Sequence, residues 1–125
     1  MPPLLLVMAG GAIGSGLRYA AAAVALRAFG PGFPAGTFAV NLIGGLLMGL
    51  LAGILGRAAL PAEPLRLFVG VGILGGFTTF SSFSLESYAM LMRGEVALAI
   101  GYGLASGVGS IAMLALGVIL ARAIG

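Results

Sequence analysis

The run Gly75-Gly76-Phe77-Thr78-Thr79-Phe80-Ser81-Ser82-Phe83-Ser84 sets glycines, threonines and serines inside a segment otherwise apolar enough to cross a membrane. In hydrocarbon, a backbone N–H or C=O freed from its helix costs several kcal/mol unless protein, water or an ion satisfies it. Polar, helix-breaking residues at that depth therefore line a cavity or bind something, which is the chemistry of a transport protein. Phe80 and Phe83 lie three apart and share a helix face. Such a pair ordinarily packs in a core or against lipid, but these two alternate with Thr79, Ser81, Ser82 and Ser84 beside the break. An aromatic ring is positive at its edge and negative on its face. Ring edges turned into a narrow polar track favour a small anion and repel a cation.

Other polar groups stand out against the apolar background. Asn41 interrupts Ala39-Val40-Asn41-Leu42-Ile43. Its amide is costly against lipid and must face protein or water, either as an interhelical hydrogen bond or as a donor to a permeating anion. Tyr102, Ser106 and Ser110 follow one another at four-residue spacing on one helix face. That stripe can pass a solute from hydroxyl to hydroxyl; the competing reading is serines bonded back to their own helix. Arg18 either snorkels to an interface or sets a positive potential in a vestibule.

The composition bounds the rest. Of 125 residues, 61% are hydrophobic and 7% charged, with a mean hydropathy of +1.22. A soluble domain carries about 25% charged residues, so this chain's solvent is lipid. With no Cys and no His, disulfides, thiolate nucleophiles and most zinc and haem chemistry are excluded. Ser81 and Ser84 have no His to activate them, which argues against an enzyme. Nucleic-acid binding needs a basic stripe, and arginines scattered singly do not make one. The N-terminus lacks a charged leader and a clear cleavage site, so Leu4 onward reads as a retained span.

Stretches of roughly 20 apolar residues span a bilayer. They run from about Pro3 to Leu26, Gly36 to Leu55, Leu67 to Met92 and Val96 to Ala121. The turns between them are Gly30-Pro31-Gly32-Phe33-Pro34, Pro61-Ala62-Glu63-Pro64 and Arg93-Gly94-Glu95. The expectation is an all-α membrane protein: a single domain over residues 1–125, four transmembrane helices, the third broken near mid-membrane. Arg57, Arg66 and Arg122 fall on the side of the termini, and Arg27 and Arg93 on the other. Orientation follows the Arg and Lys bias. So even a distribution permits insertion both ways, and pairing with an inverted copy gives the inverted-repeat geometry of many transporters. Gly45, Gly49 and Gly53, Gly10 and Gly14, and Gly103 and Gly107 repeat at the spacing that lets membrane helices approach closely.

The run from Gly75 to Glu86 closely resembles the signature of the Fluc (CrcB-like) fluoride channels. Gly10-Gly11-Ala12-Ile13-Gly14 through Arg18-Tyr19, Gly36-Thr37-Phe38-Ala39-Val40-Asn41-Leu42-Ile43-Gly44, and Tyr102 with Ser106 and Ser110 match its other spans in order. Ser82 stands where Thr is common, Gly45 where Ser is common, and Ser15-Gly16 replaces a Gly-Ala pairing. The resemblance implies a passive fluoride channel in the cytoplasmic membrane of a prokaryote, built as an antiparallel homodimer with two pathways. It implies that the rings of Phe80 and Phe83 contact fluoride and that Asn41 is the pore asparagine of the second span. Thr79, Tyr102, Ser106 and Ser110 fall on the polar track, and Glu86 near a pore end. The backbone carbonyls of Gly75 and Thr78, from both chains, would hold a structural sodium ion. The partners are then fluoride, a second copy of the chain and the lipid bilayer. The alternative is a small proton-coupled multidrug exporter, for which Glu86 is the candidate carboxylate, though it lies beyond mid-span. A non-transporting assembly subunit leaves the polar break unexplained.

Overall fold

The structure, a computed structural model, describes residues 2–56 and 62–124. Arg57, part of the arginine count, and Pro61 of the second turn lie outside the described residues. Four helical segments are long and apolar enough to span a membrane: Pro3–Phe29, Ala35–Leu55, Ala62–Met92 and Val96–Ile124. We label the first two α1 and α2. The third segment is divided into α3 (residues 62–77) and α4 (Ser81–Met92), and Val96–Ile124 is α5. No strand occurs among the described residues.

Three helix ends lie beyond the apolar stretches. At the end of α1, Arg27 sits in the last turn, where a cation complements the helix dipole. The helix stops at Gly30, whose φ of 75° is open to glycine and costly for other residues. At the start of α3, Glu63 and Arg66 pair at 2.7 Å across one turn, which supports a polar first turn before the apolar run. The far end of α5 runs on to Ile124, with Arg122 in its last turn.

The helices pack as two intimate pairs, α2 with α5 and α1 with α3. Glycine makes both possible. A Cβ at Gly45 would lie 2.8 Å from the Ser110 carbonyl oxygen, and one at Gly53 would lie 2.6 Å from the Ala121 Cβ. A Cβ at Gly49 would overlap the Leu114 carbonyl oxygen. On the other side, Gly10 and Gly14 bring α1 against the backbone of Phe68 and Ile73. The third glycine pair behaves differently. Nothing lies within 4 Å of a Cβ at Gly107, and at Gly103 only Phe83 comes near, at 3.9 Å. These two glycines do not close a helix–helix contact within the protomer; they line a groove.

Within α3, residues Arg66–Leu74 form a π-helix, where an ordinary α-helix was expected. The i→i+5 winding is rare and widens the helix. It lies where α1 approaches backbone to backbone, with Gly72 Cα and Ile73 N each 2.9 Å from a Cβ built on Gly10. Helical winding stops at Phe77, and Thr78 takes an extended conformation (φ −83°, ψ 159°). Thr78 donates twice to the Leu74 carbonyl, from its N–H at 3.0 Å and from its hydroxyl at 2.9 Å. Ser82 N–H then donates to Thr79 Oγ1 at 3.1 Å, capping the start of α4 as a threonine hydroxyl can.

Candidate functional site: an interrupted helix beside a groove

A continuous helix would direct Thr79 N–H to the Gly75 carbonyl and Ser82 N–H to the Thr78 carbonyl. Here Thr79 N–H donates to Asn41 Oδ1 at 2.8 Å, and Ser82 N–H goes to the Thr79 hydroxyl. The carbonyls of Gly75 and Thr78 are thus among those that lose their helical donors at the break. Asn41 returns a second bond, Nδ2 to the Thr79 carbonyl at 3.0 Å, so one amide satisfies both backbone groups of Thr79. The structure places Asn41 in an interhelical hydrogen bond, and the second N–H of its amide remains for another acceptor. Arg18 Nε donates to the Gly76 carbonyl at 3.2 Å. Arg18 is half-buried and reaches the interrupted helix from α1.

The groove beside this backbone has a volume of about 570 Å³. Asn41, Thr79, Phe80, Phe83, Ser106 and Ser110 line it, with Thr78 at its edge and the bare backbone of Gly45, Gly103 and Gly107. Phe80 is 78% exposed, and its ring centroid lies 5.7 Å from that of Phe83 at an interplanar angle of 40°. Ser106 is buried, and its hydroxyl meets no hydrogen-bond partner among the described residues. It therefore does not bond back to its own helix. Ser106 is among the groove-lining residues, and its buried hydroxyl keeps an unspent donor.

Glu86 and Tyr102 form an adjoining layer. The Tyr102 hydroxyl donates to Glu86 Oε1 at 3.0 Å, and the Thr37 hydroxyl donates to Oε2 at 3.0 Å. Tyr102 is buried under Phe33, at 5.4 Å and 82°, and beside Phe83, at 5.0 Å. Phe38 completes the aromatic cluster. The hydroxyl of Tyr102 thus serves Glu86, while Ser106 faces the groove. Sequence reasoning did not single out Thr37, although it precedes Asn41 by four residues and so shares its face of α2. Phe33 lies in a loop, where no periodicity marks it.

The candidate residues therefore fall in three places: Asn41, Thr79, Phe80, Phe83, Ser106 and Ser110 around the groove, Glu86 and Tyr102 next to it, and Arg18 at the Gly76 carbonyl. Among the described residues, no cluster of acidic side chains could hold a metal ion.

The sequence can be set against known proteins. A protein of Phenylobacterium zucineum named Fluoride-specific ion channel FluC is 52% identical over 123 residues, covering 98% of this chain and 97% of its own length. Proteins of the same name from Caulobacter sp. (51% identical over 125 residues, 99% of this chain and 98% of theirs) and Sphingopyxis alaskensis (50% over 122 residues, 98% and 97%) are similarly close. Four membrane-length helices and bacterial relatives of matching length make this a multi-pass protein of a prokaryotic cell membrane. Residues 5–118 match the family described as CrcB-like protein, Camphor Resistance (CrcB), and with full-length relatives at this level of identity the chain belongs to that family.

Proposed function

We infer that this chain is a fluoride-selective, passive ion channel that lets toxic fluoride leave across the cytoplasmic membrane. The observation that carries the reading is the groove. It is lined by Phe80 and Phe83, by Asn41, whose amide keeps a spare N–H, and by Ser106, whose hydroxyl has no partner among the described residues, in a chain about half identical to proteins named for fluoride conduction. A dehydrated fluoride ion needs weak, oriented dipoles in place of water, and positive ring edges with hydroxyl donors supply them. Fluoride enters cells as neutral HF from acidic surroundings and is trapped as the ion at neutral pH, so a passive pathway suffices for its escape.

The working unit in this reading is an antiparallel homodimer with two pathways, each protomer one four-helix domain. The open groove and the exposed Phe80 and Gly75 support a second chain covering them. The extended backbone at Thr78 supports a break near mid-membrane, where an in-plane two-fold axis would bring the two copies together. The carbonyls of Gly75 and Thr78, having lost their helical donors, fit a small oxygen-liganded cation, and sodium would be held there between the chains. It would supply a fixed positive charge that keeps four carbonyls from repelling. Preparing the protein with a bulky organic cation in place of sodium should lower both dimer stability and fluoride flux; equal stability in both cations would remove the sodium site.

A proton-coupled exporter needs a carboxylate open to a cationic substrate, and both oxygens of Glu86 accept hydrogen bonds from neighbours. The deciding experiment is fluoride efflux from liposomes with voltage clamped by an ionophore and no proton gradient imposed. Release should proceed, and a requirement for a proton gradient would overturn the channel reading.

A further inference from the structure

A second cavity, of about 320 Å³, opens at the end of the molecule where α1 turns into α2 and α4 into α5. Phe33, Thr37, Glu86, Met90 and Arg93 are among its lining residues. Buried Tyr102 stands between it and the groove, bonded to Glu86 on the cavity side and stacked beside Phe83 on the groove side. An anion moving from one cavity to the other would have to pass the Glu86 carboxylate, an unfavourable charge for it.

Arg93 is the cation on the same cavity wall. It follows Glu86 by seven residues, two helical turns, and so continues the same face of the helix. Its place is fixed by the chain reversal at Gly94, whose φ is 82°. Arg93 N–H donates to the Ala89 carbonyl at 3.0 Å and Glu95 N–H to the Met90 carbonyl at 2.9 Å. The Arg93 guanidinium pairs with the Glu95 carboxylate, and both side chains are about half exposed (54% and 42%). The field it sends into the cavity is therefore partly masked by its own neighbour. Arg27 lies at the same end of the molecule, in the last turn of α1, but is not among the residues lining the cavity.

We propose that this cavity is a mouth of the fluoride pathway, that Arg93 recruits the anion there against the charge of Glu86, and that Glu95 sets how strongly it does so. The proposal rests on the channel reading above. Charges lining a concave, low-dielectric wall focus their field and raise the local concentration of the ion they attract. That effect is screened by salt, whereas a structural role is not.

The test measures fluoride release from liposomes in the range where flux is proportional to fluoride. Ionic strength is raised from about 10 mM to about 300 mM with an impermeant electrolyte, which shortens the screening length from about 30 Å to below 10 Å. At low ionic strength, Arg93→Gln should cut the flux about threefold and Glu95→Gln should raise it about twofold, both differences fading at high ionic strength. Arg27→Gln should change it less than Arg93→Gln does. A loss in Arg93→Gln that is equal at both ionic strengths, or matched by Arg27→Gln, overturns the proposal. So does a fall in flux in Glu95→Gln, a variant that keeps the test open should Arg93→Gln fail to assemble. Wild-type flux with no effect of either mouth substitution overturns this inference alone; wild-type vesicles that release no fluoride overturn the channel reading and this inference together.

Discussion

Asn41→Ala removes the side chain that satisfies both backbone groups of Thr79. The wild-type amide makes bonds of 2.8 Å and 3.0 Å to them. Leaving a buried N–H or C=O without a partner costs about 1–3 kcal/mol each, so a sealed site would lose about 2–6 kcal/mol. Interhelical hydrogen bonds in membranes average nearer ~0.6 kcal/mol, because displaced groups find other partners. Two such partners are at hand. Thr79 lines an open groove that can admit water, and Thr79 N–H can return to the Gly75 carbonyl if the helix straightens. The expected loss is therefore about 1–3 kcal/mol of protomer stability, read as a lower midpoint for loss of monodisperse protein on heating in detergent. The flux should fall further than stability does. A straightened helix withdraws the extended backbone at Thr78 and turns Phe80, so efflux should drop at least about tenfold, equivalent to roughly 1.4 kcal/mol in the barrier. Asn41→Asp keeps the acceptor for Thr79 N–H, removes the donor to its carbonyl and adds negative charge, so it should conduct no better than Asn41→Ala. Wild-type flux in Asn41→Ala, with an unchanged heating midpoint, would refute the role assigned to this amide.

Other substitutions separate packing from conduction. Phe80→Ile and Phe83→Ile keep an apolar side chain but lose the positive ring edge, and at least one should lower fluoride efflux about tenfold. Phe83→Ile should lower the heating midpoint more than Phe80→Ile, since it loses aromatic pairs with both Tyr102 and Phe80 while Phe80→Ile loses only the second, each pair contributing about 0.5–1.5 kcal/mol; unchanged flux in both returns the rings to ordinary packing. Gly49→Ala forces a Cβ into the Leu114 carbonyl and should destabilise the protomer by about 1–3 kcal/mol, whereas Gly107→Ala, with open space around it, should leave protomer folding intact; equal heating midpoints for the two would contradict the packing described. Several lysines added near one terminus should bias insertion and abolish activity when that variant is expressed alone. Co-expression with an oppositely biased variant should restore it, and full activity from a population proved to have one orientation would remove the antiparallel dimer.

Much of this architecture is legible in composition and spacing because the bilayer imposes a simple rule. Apolar runs between Gly- and Pro-rich turns must be helices, and the observed spans differ only where polar ends such as Glu63–Arg66 extend them. The glycine stripes at Gly45–Gly53 and Gly10–Gly14 are visible for the same reason. Gly103 and Gly107 carry an identical pattern and do something else, since spacing reports which residues share a face and not what that face meets. The π-helix of Arg66–Leu74 left no mark that a reading of hydropathy can detect; it depends on how closely α1 approaches. Asn41 was recognisable as costly, but its two-point bond to Thr79 is a long-range pairing. Arg18 was legible only as a charge out of place, and its use on the Gly76 carbonyl follows from a broken helix two elements away. Thr37 went unremarked because a threonine in a membrane helix is unremarkable until the carboxylate opposite it is known.

The most direct test of the account compares anions in one preparation. Liposomes carrying the protein are loaded with equal fluoride and chloride, voltage is clamped with a potassium ionophore, and both ions are followed by selective electrodes. A pathway built from ring edges and single hydroxyl donors should release fluoride rapidly while chloride stays at the level of protein-free vesicles. Release of the two ions at similar rates would contradict it.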